Sequence, residues 1–543
     1  MRVGIDVGGT NTDAVLVAGD EEDVRVVAAV KTPTTDDVTT GVVTAIGELL
    51  HDAPDGLTPG DITAVMIGTT HFTNAVVEAT RLTPTAAIRL GLPATAALPP
   101  LTGWPERLRV AVGDRTYLCH GGYEYDGTEL STLDPDELRR IAVDLATAGV
   151  RSVAVSSVFA PVNGTMEREA AHILRSEVPD LRVSCSHDFG RIGLLERENA
   201  TILNAALAGL ADELADALTT ALADAGITAP LLLSQNDGTL MDIEYGRRFP
   251  AATFASGPTN SMRGAGFLSG VTDCAVIDVG GTTTDIGMLV DGFPRETASI
   301  TEVAGIRTNW RMPDVLSLGI GGGSLVRDFS DEERATVGPD SVGFALTSRA
   351  LVFGGDTLTM TDVAVAAGLT RVGTTTALVR RFDQARAQAV LAMASERIAD
   401  AVDRMRTSPA PLPVILVGGG SVVLPDSLPG LPDVRRPAHA DVANAIGAAI
   451  AKVGGELDRV VPVAEGTREH VLADARAEAI AQAEAAGARQ GSVEIVEIDE
   501  VPLAYLPGGA TRVRVKAVGD LDLDRLQVRA QSPVSTSLGA TCA

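Results

Sequence analysis

The sequence is poor in cysteine, in aromatic residues and in long apolar runs. Its four cysteines are scattered and form no CxxC pair, so neither a zinc site nor a disulfide framework is indicated. Aromatic residues make up 3% of the chain, and its cores must therefore be aliphatic. No stretch reaches the roughly 18–20 apolar residues of a membrane span. No signal peptide precedes the first apolar segment. The sequence therefore predicts a cytoplasmic protein with no membrane partner.

Positive charge is also scarce. The chain has 44 Lys and Arg against 71 Asp and Glu, a net charge of −27. Binding to nucleic acid needs clustered basic side chains that displace counterions, so this balance argues against a nucleic-acid partner. The length of 543 residues exceeds one ordinary core and suggests about three domains.

The order of apolar segments indicates an α/β fold. The chain opens with predicted strands at residues 3–7, 14–17 and 24–30 around a glycine loop at 8–13, a hairpin meander rather than a strand-to-helix step. Later segments alternate between strand and helix patterns. Further strands are predicted at 62–67, 152–157, 231–234, 275–279, 413–417, 492–498 and 511–517, and helices at 36–50, 75–79, 134–148, 194–225, 440–452 and 467–486.

Two loops carry the strongest signal in the sequence. Asp6-Val-Gly-Gly-Thr-Asn-Thr-Asp13 and Asp278-Val-Gly-Gly-Thr-Thr-Thr-Asp285 are identical at seven of eight positions and lie half a chain apart. A single Gly-Gly-Thr is weak evidence, because such turns are common. The repeat of the whole segment after a similar strand predicts duplicated domains.

The composition of these loops fits phosphate binding. Glycine lets backbone N–H groups approach an anion without a Cβ in the way, and threonine adds hydroxyl donors. A carboxylate at the strand end would repel phosphate unless Mg²⁺ lay between them, and Mg²⁺ takes few protein ligands. The alternative is a pair of tight turns in which Asp6 and Asp278 only cap the backbone. The predicted phosphate-binding residues are Gly8, Gly9, Thr10, Thr12, Gly280, Gly281, Thr282, Thr283 and Thr284.

Two common nucleotide-binding folds are disfavoured. No GxxxxGK[ST] segment occurs, which excludes a Walker A loop. A hairpin rather than a helix follows the first glycines, which argues against a Rossmann loop.

An ordered set of motifs resembles the hydantoinase A/5-oxoprolinase family of the actin/Hsp70/sugar-kinase superfamily. The resemblance covers roughly residues 1–455 and is carried by both loops and by the following segments: Ile67-Gly68-Thr69-Thr70, Thr73-Asn74-Ala75, Glu196-Arg197-Glu198, Asn204-Ala205, residues 234–241, Ser256-Gly257-Pro258, residues 319–324, residues 337–341 and residues 359–362.

The resemblance implies a fold and its domain boundaries. Two duplicated RNase H-like, actin-like ATPase domains would face a nucleotide cleft, one over residues 1–175 and one over 176–457. A small C-terminal α+β module would follow over 458–543.

The resemblance also implies a reaction. Relatives activate a small cyclic amide or imide, such as a hydantoin, 5-oxoproline or a lactam, by phosphorylating its carbonyl at the expense of ATP. Asp6 and Asp278 would hold Mg²⁺, and Asp13 and Asp285 would either orient water or anchor the loops. Gly418, Gly419, Gly420 and Ser421 would border the adenosine. The substrate-side candidates are Thr69, Thr70, Asn74, Ser256, Gly257 and Gly322, although Ser256-Gly257 and the turn at Gly322 also have a purely structural interpretation.

Three segments depart from the family pattern. Residues 313–318 lack a histidine that relatives carry before the GGGS segment, and residues 343–348 replace a Pro-Gly-Pro-Ala-Cys stretch. His71 stands where relatives have an apolar residue, and either contacts substrate or is a satisfied histidine without a functional role.

Relatives often need a second subunit, and this sequence shows no second catalytic module, so we expect half of a two-component enzyme in a homo- or hetero-oligomer. Three alternatives stay open. One is a small-molecule kinase of the same superfamily, and another is the ATP-using subunit of a ketone carboxylase-type complex. The third is a nucleotide-gated binding protein without substrate chemistry.

Overall fold

The fold is taken from a computed structural model. It describes residues 1–9, 11–19, 24–34, 38–53, 56–189, 191–297, 300–331, 334–374, 379–380, 382–463, 466–503, 509–523 and 525–526. Thr10, a predicted phosphate ligand, lies outside these residues, as do residues 36–37 of the first predicted helix.

The described chain is a mixed α/β protein, as the sequence predicts. The strands are β1 Arg2–Val7, β2 Asn11–Ala18, β3 Arg25–Pro33, β4 Ala64–Thr69, β5 Thr85–Leu92, β6 Arg115–His120, β7 Ser152–Ser157, β8 Arg182–Cys185, β9 Leu231–Ser234, β10 Thr239–Asp242, β11 Cys274–Val279, β12 Thr284–Val290, β13 Phe293–Pro294, β14 Thr301–Val303, β15 Ile306–Thr308, β16 Val315–Leu318, β17 Ser324–Arg327, β18 Thr336–Ser341, β19 Val414–Val417, β20 Val434–Arg435, β21 Lys452–Pro462, β22 Glu494–Pro502 and β23 Ala510–Gly519.

The helices alternate with these strands. They are α1 Val38–His51, α2 His71–Glu78, α3 Glu106–Val112, α4 Pro135–Thr147, α5 Thr165–Glu177, α6 Leu194–Ala206, α7 Ala208–Asp224, α8 Ile243–Arg248, α9 Ser256–Ser269, α10 Leu346–Arg349, α11 Met360–Ala366, α12 Gln384–Met405, α13 Ala443–Ala449 and α14 Arg468–Ala486. None of these described helices combines the length and the apolarity that a membrane crossing requires.

A large sheet has the strand order β22-β23-β21-β10-β9-β4-β1-β2-β3. The opening meander β1-β2-β3 is antiparallel, as predicted, whereas β1, β4 and β9 are parallel neighbours. The carboxyl ends of these three strands therefore meet at one edge, which brings Val7 beside Thr69. Ligands of open α/β sheets bind at such edges.

A second sheet repeats the central part of the first. Its path is β13-β12-β11-β19-β20, with β16 added alongside β12. The hairpin β11-β12 is antiparallel and β19 is parallel to β11, the same relation that β4 has to β1. The two hairpins thus share both sequence and local pairing.

Two helices of small residues pack between the sheets. Helix α13 packs on β1 and β2, and α9 packs on β11, β12 and β19. A Cβ at Gly264 of α9 would overlap the backbone of Ala443, and one at Gly447 of α13 would overlap the backbone of Asn260. Glycine at these contacts lets the helix backbones touch, which draws the ends of the two hairpins toward each other.

A smaller parallel sheet, β6-β5-β7-β8, carries its own aliphatic core with α4 and α5. A buried ion pair ties this sheet to α6. Glu198 accepts hydrogen bonds from Nε of Arg89 at 2.7 Å and from Oγ of Ser156 at 2.7 Å. The Glu-Arg-Glu motif of the family resemblance therefore has a structural role at Glu198.

Three local predictions were wrong. The helix predicted over residues 75–79 begins earlier, at His71, with Thr70 as its N-cap residue. The loop predicted over residues 8–13 is shorter, because β2 begins at Asn11 and Asp13 pairs with Asp6 across the ladder. The helix predicted over 440–452 begins with a 3₁₀ turn at Ala440–Val442 and ends at Ala449, because Lys452 starts β21. Small apolar residues suit either conformation, and pairing with β10 and β23 selects the strand. The domain boundaries stay predictions; residue 457 lies within β21.

Candidate nucleotide and substrate site

The two repeated loops adopt the same turn. Asp6 is opposite Asp13 in the first hairpin, and Asp278 is opposite Asp285 in the second. The N–H of Gly8 donates to the carbonyl of Asn11 at 3.1 Å, and the N–H of Gly280 donates to that of Thr283 at 2.8 Å. The repeated sequence therefore builds the same short turn twice, with a pair of aspartates behind each.

The first aspartate pair is held by an amide and an ammonium group. Nδ2 of Asn444, in α13, donates to Asp6 at 2.9 Å and to Asp13 at 3.1 Å. Lys31, opposite Asp13 on β3, forms an ion pair with it. Oδ1 of Asp6 is buried and has no hydrogen-bond partner among the described residues.

The second aspartate pair is held by hydroxyl groups. Oγ of Ser261, in α9, donates to Asp278 at 2.5 Å. Ser317 lies on β16 directly opposite Asp285 of β12, and its Oγ donates a hydrogen bond to that aspartate. Helix α13 thus contributes Asn444 to the first aspartate pair, and helix α9 contributes Ser261 to the second.

Burial and mutual repulsion make the carboxyl groups reluctant to ionise. Burial, followed by the charge of Asp13, raises the pKa of Asp6 to about 7, and the charge of Asp278 adds to it. Burial, followed by the charge of Asp285, raises the pKa of Asp278 to about 6 despite the hydrogen bond from Ser261. The charge of Asp278 raises the pKa of Asp6, and the charge of Asp13 raises the pKa of Asp278, so the two loops face one cluster of negative charge.

These residues fit a divalent cation. The raised pKa values report uncompensated negative charge, and Oδ1 of Asp6 offers an unpartnered ligand atom. Mg²⁺ binds through one or two carboxylates while it keeps several waters. Asp6 and Asp278 are the residues that would hold it.

Glycine segments enclose the second loop. The N–H of Gly420 donates to the carbonyl of Val279 at 2.7 Å, and a Cβ at Gly418 would overlap Oδ1 of Asp278. Ser421 is buried. A Cβ added to Gly419 would lie 3.5 Å from Nζ of Lys31, so this segment also approaches the lysine that pairs with Asp13. Gly418–Ser421 therefore lies between the two aspartate pairs.

The threonines of the loops divide into two groups. Thr12 and Thr284 are fully buried, and the hydroxyl of Thr284 donates to the carbonyl of Ile320 at 2.6 Å. Thr282 is exposed and Thr283 half-buried, as are the glycines Gly8, Gly280 and Gly281, and Gly9 is exposed. The loop tips, rather than the buried threonines, are open to a phosphate.

Four of the substrate-side candidates lie together at the edge of the large sheet. The hydroxyl of Thr70 donates to the carbonyl of Val7 at 3.3 Å, and that of Ser256 donates to the carbonyl of Thr69 at 3.3 Å. A Cβ at Gly257 would lie 3.8 Å from the Cγ2 methyl of Thr70. Strand β4 and helix α9 thus bring these residues beside β1.

The remaining candidates are placed differently. Asn74 is exposed on α2. Gly322 lies against the second loop, where its N–H donates to the carbonyl of Gly280 at 3.0 Å. His71 hydrogen-bonds to Arg81 at 2.8 Å, which favours the interpretation of a satisfied histidine.

Sequence reasoning missed Lys31, Asn444 and Ser261. A lysine facing an acidic residue across a predicted hairpin could have identified Lys31. An isolated polar residue in a helix of small apolar residues is a weaker signal for Asn444. Sequence offered no signal for Ser261.

Within the described residues, one set of three metal-ligand side chains converges elsewhere, at Glu167, Cys185 and His187. The Glu167 carboxylate accepts from Oγ of Ser186 at 2.5 Å and from the backbone N–H of His187 at 2.8 Å. Its oxygens are therefore already satisfied within the protein.

Comparison with known proteins identifies relatives over most of the chain. Residues 2–178 match the hydantoinase/oxoprolinase N-terminal region, and residues 197–374 match the hydantoinase/oxoprolinase domain. The acetophenone carboxylase gamma subunit of Aromatoleum aromaticum is 27% identical over 252 residues, which are 45% of this chain and 34% of that protein. The acetone carboxylase beta subunit of Xanthobacter autotrophicus is 25% identical over 279 residues, 50% of this chain and 37% of that protein.

Two solved structures share the fold. An ATP-dependent caprolactamase from Pseudomonas jessenii aligns with a TM-score of 0.75 at 19% identity, over 96% of this chain and 87% of that one. Nucleotide-free acetone carboxylase aligns with a TM-score of 0.68 at 18% identity, over 96% and 88%. The chain spans about a third of the length of the two carboxylase subunits it matches. On the two matched regions together, this chain belongs to the hydantoinase/oxoprolinase family.

Proposed function

We propose that the chain is an ATP-dependent subunit that phosphorylates the carbonyl oxygen of a small cyclic amide or imide and so drives ring opening. The observation that carries the proposal is the pair of equivalent glycine turns whose strand-end aspartates, Asp6 and Asp278, share one field of negative charge. Family membership and the ATP-dependent caprolactamase with the same fold support it.

The proposed reaction transfers the terminal phosphoryl group of ATP to the amide oxygen. The bond to ADP breaks as the new P–O bond forms, and the carbonyl carbon becomes electrophilic. Water then adds to that carbon and the ring C–N bond breaks, which leaves an acyl phosphate. A second water hydrolyses the acyl phosphate to the carboxylate and free phosphate. The balance is cyclic amide, ATP and two waters giving amino acid, ADP and phosphate.

The loops would do most of their work by positioning charge, as phosphoryl transfer requires. The open N–H groups around Gly9 and Gly281 would hold phosphate oxygens from opposite sides. Asp6 and Asp278 would hold Mg²⁺, and the bound ion would neutralise phosphate charge. Burial raises the pKa of Asp13, and Lys31, beside Gly419, opposes that rise and adds a positive charge between the loops.

The same proposal assigns the remaining predicted residues. Thr69, Thr70, Ser256 and Gly257 would border the substrate beside the first loop, and Gly418–Ser421 would border the adenosine. The proposal also includes two duplicated RNase H-like domains of the actin type. It further includes a cytoplasmic location and an oligomer with a second catalytic subunit. Repetition of the hairpin and of its parallel neighbour strand supports the duplication.

A second candidate is the ATP-using subunit of a ketone carboxylase-type complex. The matches to carboxylase subunits favour it. There the phosphorylated carbonyl would belong to a ketone, and bicarbonate would provide the carbon that is added.

The discriminating experiment is a screen of ATP hydrolysis by the purified chain, alone and together with any subunit that co-purifies with it. Cyclic amides and imides form one arm, and ketones with bicarbonate form the other. Phosphorus NMR monitors the products. If an amide stimulates ATP hydrolysis and free phosphate is released, the proposal is supported. A stable phosphorylated product would indicate a kinase instead, and stimulation by ketones alone would indicate the carboxylase type.

A further inference from the structure

The two aspartates that would hold Mg²⁺ use their oxygens in the same way. Oδ2 of Asp6 accepts a hydrogen bond from Nδ2 of Asn444 at 2.9 Å. Oδ2 of Asp278 accepts one from Oγ of Ser261 at 2.5 Å. Within the described chain, Oδ1 of Asp6 has no hydrogen-bond partner, and no donor reaches Oδ1 of Asp278. Each carboxylate therefore has one oxygen that is held and one that is left without a partner.

Asn444 also joins Asp6 to the other aspartate of its loop. The amide nitrogen carries two hydrogens, and it donates to Oδ2 of Asp13 at 3.1 Å as well. Its own Oδ1 accepts from the N–H of Ala445 at 2.9 Å, which fixes the orientation of the amide. The second oxygen of Asp13 is paired with Lys31. Both oxygens of Asp13 are thus engaged, so the asparagine connects Asp6 to a carboxylate that is itself fixed.

Both donors lie where helices α9 and α13 touch. Ala443, the residue before the asparagine, packs against Gly264, where a Cβ would overlap its carbonyl oxygen. Asn260, the residue before the serine, packs in the same way against Gly447. The serine is buried and the asparagine half-buried. Because the helix backbones are in contact at these points, the two donors have fixed positions relative to each other.

We propose that Asn444 and Ser261 are positioning residues for the metal: each holds Oδ2 of one aspartate, so that Oδ1 is presented to the bound cation. The inference deepens the proposed function and rests on it, because it requires a metal ion at Asp6 and Asp278. Side chains that hold a metal-binding carboxylate by a hydrogen bond orient it, and their loss typically weakens metal binding about 10–100-fold. Asn444 holds two carboxylates and Ser261 holds one, so the loss of Asn444 should have the larger effect.

Binding of Mn²⁺ tests the proposal without relying on turnover. Mn²⁺ is titrated into the full chain in the presence of ADP, and the free ion is followed by electron paramagnetic resonance, with a titration of ADP alone as the blank. Asn444→Leu keeps a side chain of similar size and removes the donor, and Ser261→Ala removes the hydroxyl. We expect the Kd of Mn²⁺ to rise about 10–100-fold in Asn444→Leu and about tenfold in Ser261→Ala.

Asn204→Leu is the matched control. Asn204 of α6 is 1% exposed and donates to the carbonyl of Arg248 at 2.8 Å, a hydrogen bond that involves neither loop. This variant should melt at a lower temperature because it loses a buried hydrogen bond, but it should bind Mn²⁺ as wild type does. If Asn444 and Ser261 only stabilise the fold, their variants will behave like this control. Unchanged Mn²⁺ binding in a folded Asn444→Leu protein, or in Ser261→Ala if the first variant does not fold, overturns the proposal.

Turnover at varied Mg²⁺ gives a second readout. A positioning residue lowers the affinity for the ion but leaves the metal ligands in place. Excess Mg²⁺ should therefore restore most of the ATP hydrolysis of Asn444→Leu, with the half-saturating Mg²⁺ concentration raised by the same factor as the Kd of Mn²⁺. Asp278→Asn should stay low at every Mg²⁺ concentration. Turnover in Asn444→Leu that does not recover with Mg²⁺ contradicts a positioning role.

The Mn²⁺ titration also separates this inference from the proposed function. If wild type binds no Mn²⁺ beyond the ADP blank, or if Asp278→Asn binds it as tightly as wild type, the metal assignment in the proposed function fails. If Asp278→Asn loses the ion while both Asn444→Leu and Ser261→Ala keep wild-type affinity, the metal assignment holds and the positioning role alone is refuted.

Discussion

The two glycine loops have nearly the same sequence and the same turn, but they lie in different surroundings. The first loop is open at Gly9, where an added Cβ would meet nothing within 4 Å, and its aspartates face an amide and an ammonium group. The second loop is enclosed by two glycine segments, and its aspartates face serine hydroxyls. The repeated sequence determines the hairpin, and distant residues determine its charge.

This difference assigns different tasks to equivalent residues. Asp13 forms an ion pair with Lys31, whereas Asp285 accepts a hydrogen bond from the hydroxyl of Ser317. The second loop is packed so closely that its neighbouring glycines have no room for a side chain. A Cβ at Gly321 would lie 2.7 Å from backbone atoms of Thr282. Substitutions of the residues at and around each loop can therefore distinguish the roles of the two loops.

The largest expected effect is on ATP turnover. Asp278→Asn and Asp6→Asn each remove one proposed Mg²⁺ ligand while they keep the side-chain shape, and we expect a loss of about 10²–10³-fold in kcat. Steady-state ATP hydrolysis at varied Mg²⁺ measures it. Asp273→Asn, an exposed carboxylate just before β11, is the matched control and should be near wild type. Normal turnover in Asp278→Asn would rule out the metal assignment.

The second prediction compares how much a glycine-to-alanine substitution beside each loop lowers the free energy of unfolding. Gly418→Ala would place a Cβ onto Oδ1 of Asp278 at a φ of +87°, and it should lower the free energy of unfolding by about 3 kcal/mol. Gly9→Ala has open space and should change it by less than about 1 kcal/mol. Urea titration measures both. Similar losses in the two variants would contradict the contrast between an open and an enclosed loop.

The third prediction removes the positive charge of Lys31 between the loops. Lys31→Met leaves Asp13 buried without its ion pair, and we expect a loss of about 1–2 kcal/mol, below that of a fully buried pair because Lys31 is 30% exposed. Lys452→Met, in the more exposed pair with Asp520, should cost less than about 1 kcal/mol. Thermal melts at pH 8 compare them, and equal shifts would show that Lys31 has no special role.

The sequence predicted the two turns because their cause is local. Gly-Gly between two short apolar segments specifies a hairpin, and the identity of both copies predicted that the same hairpin forms twice. The residues that tune the site come from far along the chain: Asn444 is 438 positions from Asp6. No local pattern identifies such a partner, because it is selected by the contact between α9, α13 and the sheets.

The same reason explains why the helix predicted over residues 440–452 has the wrong bounds. Its sequence favours a helix throughout, but the tertiary pairing of Lys452 with Thr239 of β10 ends it. A cavity of about 430 Å³ where β9 ends was also beyond prediction, because its lining residues Arg191, Asn236 and Asn309 come from three separate segments. Motif residues could be assigned to strand ends, whereas convergence of unrelated loops could not.

The smallest expected effect is a difference in pH dependence between the two central aspartates. A carboxyl group whose pKa is higher in the folded than in the unfolded chain binds protons preferentially in the folded state. Stability in the absence of Mg²⁺ therefore falls as pH rises from the ordinary value of 3.8 to about 7 for Asp6, and to about 6 for Asp278. The slope per group is at most about 1.4 kcal/mol per pH unit.

Replacing either aspartate by asparagine removes its part of this slope. Between pH 6 and pH 7 the Asp6→Asn protein should melt with a flatter pH profile than wild type, whereas Asp278→Asn should differ mainly below pH 6. Melting curves in EDTA at half-unit pH steps measure this, and added Mg²⁺ should stabilise the wild type more at pH 8 than at pH 5.5, because the metal binds the ionised carboxylates. Identical profiles for the two variants would mean that the loops, despite their different surroundings, titrate as one unit.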